Sequence, residues 1–241
     1  MALAGATEGR LAIIAGSGKL PLFLAEAARE AGENPFILRL KNEADPIWDD
    51  FDSAVVGVGD MSGLSALFQK HKISRVVMSG AVKKRPSLGE IHVNWKSILK
   101  LPMALRTLLA GGDDAVLKMV ISLIEAQGCH VIGAHEILPN LLATTGPIGG
   151  IVPSSDDWRD IERAADAAET LGRLDVGQGA VCVGGRIVAL EGVEGTDAML
   201  ARVARLRGEG RISQRRKGVL VKLCKPQQDI RADLPAVGIS T

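Results

Sequence analysis

The sequence predicts an α/β protein with two domains: a small doubly wound parallel-sheet domain first, then a second α/β domain with a mixed sheet, joined by a Pro/Gly-rich linker. Three observations lead there. Between Leu11 and Ile132, short β-branched runs alternate with amphipathic helical stretches, the pattern of parallel strands joined by crossover helices. Residues 138–153 are rich in Pro, Gly and Thr, including Gly146-Pro147-Ile148-Gly149-Gly150, and break that periodicity as a linker does. Beyond them, Val181-Cys182-Val183 and Ile187-Val188-Ala189-Leu190 flank Gly184-Gly185, a β-hairpin pattern. The resulting division is 1–137 for the first domain, 138–153 for the linker and 154–241 for the second domain.

In the first domain, the apolar run Leu11 to Ala15 leads directly into Gly16-Ser17-Gly18-Lys19-Leu20-Pro21, after which Leu24, Ala27, Ala28 and Ala31 recur at helical spacing. Such a strand, glycine turn and helix leaves N–H groups at the helix start for a phosphate, and glycine allows close approach. Gly16, Ser17 and Gly18 are therefore candidate binding residues. Leu20-Pro21 stands where the dinucleotide fingerprint has its third glycine, so a tight turn without a ligand explains the stretch as well. Phe36 to Leu40 and Ala54 to Val58 are the next strands, a helix covers Leu64 to His71, and Arg75 to Gly80 is a fourth strand. Leu40-Lys41-Asn42 lacks the acidic ribose partner that a nicotinamide-dependent dehydrogenase would place there. Gly80 to Pro86 leaves the fourth strand with Lys83, Lys84 and Arg85, facing either the ligand crevice of an open sheet or solvent.

Trp95 to Leu109 reads as helix around Pro102, and Gly111-Gly112-Asp113-Asp114 ends one helix and begins another. Asp113 is a natural N-cap, and Asp114 lies near the positive helix end. His130 to Glu136 is a strand running into a polar turn, with His135 expected to be satisfied by backbone hydrogen bonds.

The second domain opens on Ser154-Ser155-Asp156-Asp157, capping a helix with the apolar stripe Trp158, Ile161, Ala165, Ala168 and Leu171. After the hairpin, Thr196 caps a helix through Met199, Leu200 and Val203. Glu191, Glu194 and Asp197 collect oxygens there, suited to a hard divalent cation or to ordinary capping. Arg202, Arg205, Arg207, Arg211, Arg215, Arg216 and Lys217 form the most basic segment, fit for a phosphate-bearing partner, an anionic membrane surface or an exposed helix end. Val219 to Cys224 is a buried strand, and Lys225 to Gly238 places two carboxylates, two cations and amides in a proline-constrained loop at its end. Strand-end loops are where scaffolds present polar chemistry.

Composition narrows the classes. At 241 residues with 46% hydrophobic and 3% aromatic residues, the chain can build cores from Ala, Val, Leu and Ile. A net charge of +1 argues against a general nucleic-acid binder. Cys129, Cys182 and Cys224 are odd in number and set among apolar residues, so they read as reduced core positions. No signal peptide or spanning helix is visible, and a cytoplasmic protein is the expectation.

Leu11 to Leu20, Gly112-Asp113-Asp114, Gly133-Ala134-His135-Glu136, Asp175-Val176-Gly177-Gln178-Gly179, Glu194 to Leu200 and Lys225 to Gly238, in this order and spacing, resemble the LpxI-type UDP-2,3-diacylglucosamine pyrophosphatases of lipid A biosynthesis. The resemblance spans essentially the whole chain. It implies hydrolysis of the pyrophosphate to UMP and 2,3-diacylglucosamine 1-phosphate (lipid X), a divalent cation such as Mg2+ or Mn2+, two domains holding the acylated product, and a homodimer. Peripheral contact with the inner membrane fits such a substrate. The family's aspartate before Leu-Pro, associated with metal and catalysis, is Asp233 here. Asp229, Lys225 and Arg231 complete the candidate catalytic set, with Gly16, Ser17, Gly18, Arg85, Asp114, Gln178 and Thr196 as candidate substrate contacts. Family members continue past the Leu-Pro-x-x-Gly segment, whereas this chain ends at Thr241. A non-catalytic protein that binds a nucleotide or lipid phosphate is the competing expectation, motivated by the glycine turn and the basic segment.

Overall fold

The structure, a computed structural model, describes residues 9–82, 113–226, 228–231 and 234–237. The chain divides into two compact units between Ala143 and Thr144.

The first unit runs β1 (Arg10–Ala15), α1 (Leu20–Glu30), β2 (Phe36–Leu40), β3 (Ser53–Val56), α2 (Met61–Lys70), β4 (Ile73–Ser79), α3 (Asp113–Glu125), β5 (His130–Ile132) and α4 (Ala134–Ile137). Among the described residues its strands form one parallel sheet in the order β3-β2-β1-β4-β5, with Ile13 in register between Ile37 and Val77. Strands buried on both faces read as unbroken apolar runs. β1 does so, from Leu11 at 1% exposure to Ala15 at 0%. Leu24, Ala25 and Ala28 of α1 pack against it with Trp48. α2 begins earlier than its apolar spacing indicates because the Asp60 carboxylate accepts from Gly63 N at 2.8 Å and caps it. The chain moves from β1 outward through β2 and β3, then returns to β4 on the other side. The exits of β1 and β4 are consequently neighbours at the switch point, where such folds place ligands.

The second unit runs α5 (Ser155–Arg173), β6 (Gly179–Val183), β7 (Arg186–Leu190), α6 (Gly195–Gly208) and β8 (Val219–Lys222). Its described strands are ordered β7-β6-β8, antiparallel at both pairings. The expected mixed sheet is thus antiparallel. The crossover through α6 does make β7 and β8 parallel to one another, but β6 lies between them and no parallel ladder forms. Alternation along β6 sorts the core: Val181 and Val183 face α6 with Met199 and Val203, while Ala180 and Cys182 face α5 with Ala164 and Ala168.

α5 departs from the expected stripe. Its buried positions are Asp160, Ala164, Ala168 and Gly172, and Trp158 is 54% exposed. Ser154 and Asp157 cap it reciprocally, with Ser154 N donating to Asp157 Oδ2 at 2.9 Å and Asp157 N to Ser154 Oγ at 3.2 Å. Among the described residues, no helix is long and apolar enough to cross a membrane.

Candidate functional site

In the second unit β6 begins where β7 and β8 end, so three connections gather at one edge of the small sheet: 174–178 before β6, 191–194 after β7 and 223–231 after β8. Glu191 N donates to Gly179 O at 2.9 Å and Leu223 N to Gln178 O at 2.9 Å, carrying the ladders into these connections. Residues distant in sequence meet here.

Glu191 is 7% exposed, and burying its carboxylate requires partners. Thr196, in the first turn of α6, donates its hydroxyl to Glu191 Oε1 at 2.6 Å and accepts from Lys222 Nζ at 2.6 Å. Lys222 Nζ also lies 3.5 Å from Glu191 Oε1, its side chain 12% exposed. Gly179 is glycine because a Cβ would stand 2.7 Å from Glu191 Oε2. Gln178 N approaches Glu191 Oε2 at 3.4 Å, while the Gln178 carboxamide oxygen is buried without a hydrogen-bond partner among the described residues. Thr196 is therefore an internal link between two charges. Sequence reasoning passed over Lys222, although a lone lysine in the apolar run Val219 to Cys224 signals a buried charge that needs a partner.

Lys225 and Arg231 also have carboxylate partners. Lys225 Nζ meets Asp175 Oδ1 at 2.5 Å, and its peptide N donates to Gln228 Oε1 at 2.9 Å, closing the start of the loop. Asp175 holds its position with φ of 54°, a left-handed conformation aspartate tolerates. Arg231 clasps Asp229: N and Nε reach Oδ1 at 3.0 Å and a terminal nitrogen reaches Oδ2 at 2.8 Å. The structure thus brings Lys225, Gln178, Thr196, Asp229 and Arg231 to the connections of one sheet edge. Asp233 lies outside the described residues, as do Lys83, Lys84 and Arg85. Asp114 begins α3.

The glycine turn of the first unit is stitched shut by the chain itself. Gly16 N donates to Ser79 O at 2.8 Å, and Ser17 N and Ala81 N exchange bonds with Ala81 O and Ser17 O, each at 2.9 Å. Gly18 N donates to the Asp45 carboxylate at 2.8 Å, an anion of the protein's own where a phosphate would be sought. A Cβ on Gly16 would come 2.5 Å from Ala81 O, so backbone packing explains this glycine.

Other expected groups resolve into local structure. Glu136 accepts from Gly133 N at 2.8 Å as a cap. His135 lies over Gly133 with its Nδ1 buried and without a partner among the described residues, rather than satisfied by backbone. Glu194 pairs with Arg202 at 3.1 Å, Arg205 with Glu209 at 2.7 Å, and Arg207 donates to Arg216 O at 2.9 Å, so much of the basic segment is engaged internally. Among the described residues no three His, Cys, Asp or Glu side chains are placed to hold a metal, Glu191, Glu194 and Asp197 included.

Fold and geometry define a two-domain α/β protein with a partly buried polar cluster at the edge of its smaller, antiparallel sheet. Residues 10–141 match the LpxI N-terminal domain and residues 144–241 the LpxI C-terminal domain, and the chain belongs to the LpxI family. It is 38% identical over 236 residues to the UDP-2,3-diacylglucosamine pyrophosphatase LpxI of Caulobacter vibrioides, covering 96% of this chain and 82% of that protein. Among solved structures it is similar to the Bordetella bronchiseptica enzyme WbmG in complex with NAD and UDP, at 20% identity and a TM-score of 0.33 over 51% of this chain and 36% of that one. A GalE-like L-threonine dehydrogenase from Cupriavidus necator is similar at 15% identity and a TM-score of 0.33, over 69% and 50% of the two chains. Likenesses of that size carry no argument about chemistry.

Proposed function

We propose that the protein is a hydrolase that cleaves the pyrophosphate of UDP-2,3-diacylglucosamine, releasing UMP and 2,3-diacylglucosamine 1-phosphate for lipid A synthesis. Membership of the LpxI family and the named activity of the Caulobacter relative support the substrate. The observation that carries the reading to particular residues is the convergence of Lys222, Lys225 and Arg231 with Glu191, Asp175 and Asp229 at one sheet edge, directly before Asp233. Cations fixed at a strand end suit a substrate that is anionic at its reacting centre.

Metal dependence is part of the proposal. Asp229 has both oxygens on Arg231, and Asp175 Oδ1 is on Lys225, so the described carboxylates are arranged for ion pairs. Magnesium or manganese needs only one or two protein carboxylates when substrate phosphates and waters supply the rest. Asp233 is the residue assigned to hold it. Bound there, the ion would neutralise phosphate charge and acidify a coordinated water. The chain's own part is to hold the leaving phosphate with Lys225 and Arg231, which exchange their carboxylate partners for phosphate oxygens.

The test is UMP release from UDP-2,3-diacylglucosamine with Mg2+ present. Wild type turns over; Asp233→Ala loses at least about a hundredfold in kcat, the size of effect seen when one group that stabilises charge in the transition state is removed. Full activity in that variant removes Asp233 from the site. Binding of the UDP-sugar without turnover by wild type, with either cation, replaces the hydrolase with a non-catalytic binding protein. The homodimer is tested in the same preparation by light scattering.

A further inference from the structure

We infer that Lys222 is a further substrate-binding residue, its buried ammonium held by Glu191 and Thr196 so that the remaining proton meets a diphosphate oxygen. The identity of that ligand rests on the hydrolase reading above. An ammonium group has three protons and no acceptor. One points at Thr196 Oγ1 at 2.6 Å and a second toward Glu191 Oε1 at 3.5 Å. The third has no acceptor among the described residues. The side chain retains 12% exposure at the edge where the three connections meet.

The cluster is not explained by stability. Replacing a buried ion pair by apolar side chains of similar volume is often neutral or stabilising. Here the pair is instead elaborated by a threonine whose hydroxyl accepts a hydrogen bond from the lysine and donates one to the carboxylate, each at 2.6 Å. A second polar position at the same edge is also unfilled: the buried carboxamide oxygen of Gln178, whose own backbone oxygen accepts from Leu223 N beside Lys222. A nucleoside diphosphate ester supplies both missing partners, phosphate oxygens for the ammonium and hydroxyl or N–H donors for the carboxamide. Lys225 and Arg231 must release Asp175 and Asp229 to meet phosphate, whereas Lys222 need release nothing.

Lys222→Met alone strands Glu191 as a buried unpaired charge, so the informative protein is the double variant Lys222→Met/Glu191→Gln, which removes both charges and leaves Thr196 a carboxamide partner. UDP is titrated calorimetrically at constant Mg2+ into wild type, the double variant and Glu191→Gln, with folding checked by circular dichroism. UDP affinity in the double variant is expected to fall about tenfold or more, the value of one charge-assisted hydrogen bond, with KM rising in step. Glu191→Gln alone keeps or tightens UDP binding, because the ammonium loses its competing counter-charge. A folded double variant with wild-type UDP affinity overturns the inference. If the double variant does not fold, the Glu191→Gln titration decides: a merely structural pair weakens UDP binding when broken, and that result overturns it too. A wild type that releases no UMP, yet binds UDP in a Lys222-dependent way, removes the hydrolase reading and leaves this inference standing.

Discussion

Asp160→Asn should destabilise the second unit strongly while leaving the site chemistry intact. Asp160 is 7% exposed on the inner face of α5, and its carboxylate accepts from Gly184 N at 2.7 Å and Gly185 N at 2.5 Å. Those glycines, with φ of 59° and 79°, form the two-residue turn between β6 and β7, a conformation in which both N–H groups leave the ladder. Asparagine keeps one acceptor oxygen but turns an NH2 toward the other N–H, leaving a part-buried donor without that partner. Losing one charge-assisted bond and stranding one donor amounts to roughly 2–4 kcal/mol. In a unit of this size that corresponds to a fall in melting temperature on the order of 10 °C or more. Urea unfolding at pH 7 measures it as a lower midpoint at unchanged slope. Burial pushes the Asp160 carboxyl up, but the N–H groups of Gly185 and Gly184 outweigh burial and hold it below the usual 3.8. Its contribution is therefore fully present above pH 3.8 and is lost as pH falls through the lower folded value, so wild type and variant converge only in acid. The turn lies at the far end of the hairpin from Glu191, so kcat of the folded variant should match wild type. A change in stability below about 0.5 kcal/mol, the scatter of ordinary surface substitutions, refutes the reasoning.

Two further outcomes follow from the same geometry. Gly16→Ala places a Cβ 2.5 Å from Ala81 O and 3.0 Å from Gly80 C and should lose about 1–3 kcal/mol by overpacking. Gly18→Ala meets open space and carries only the strain of its φ of 101°, so it should lose less, about 1–2 kcal/mol; the reverse order in urea melts contradicts the packing assignment. Arg231→Lys cannot reproduce the fork on Asp229, so activity should stay depressed by about tenfold although the charge is kept, with KM the more affected parameter. Wild-type KM in that variant shows that the clasp plays no part in placing the loop.

The first unit was legible because each strand buried on both faces advertises itself as an apolar run, and β1, β2 and β4 fall where such runs fall. The face of α5 was not. Apolar spacing selects Trp158, whereas the helix buries Asp160 for the sake of a turn 24 residues later, a partnership no local period encodes. The sequence left Gly16 open between a ligand position and a tight turn, because its neighbour Ala81 follows β4, far along the chain. At the candidate site, the Asp229–Arg231 clasp was visible at its spacing in the loop, but the Glu191–Thr196–Lys222 link joins β7, α6 and β8 and exists only after folding.

In the proposed reaction, the two kinds of ion pair at this edge divide the labour of binding. The Lys225–Asp175 side chains are 17% and 30% exposed and the Arg231–Asp229 side chains 31% and 18%, so both pairs remain in contact with solvent. Solvent screens these pairs more than the buried one, so a multiply charged phosphate can compete with the carboxylates for Lys225 and Arg231. They order the loop in the absence of substrate and are exchanged on its arrival. Glu191 and Lys222, at 8% and 12%, are desolvated and cross-linked through Thr196, so exchange there would strand a buried carboxylate. A cation that cannot relax is what stabilisation of developing charge requires, because its orientation is set before the reaction begins. On the proposed reaction, the solvent-touched pairs act as substrate enters, and the buried pair sets where the diphosphate comes to rest.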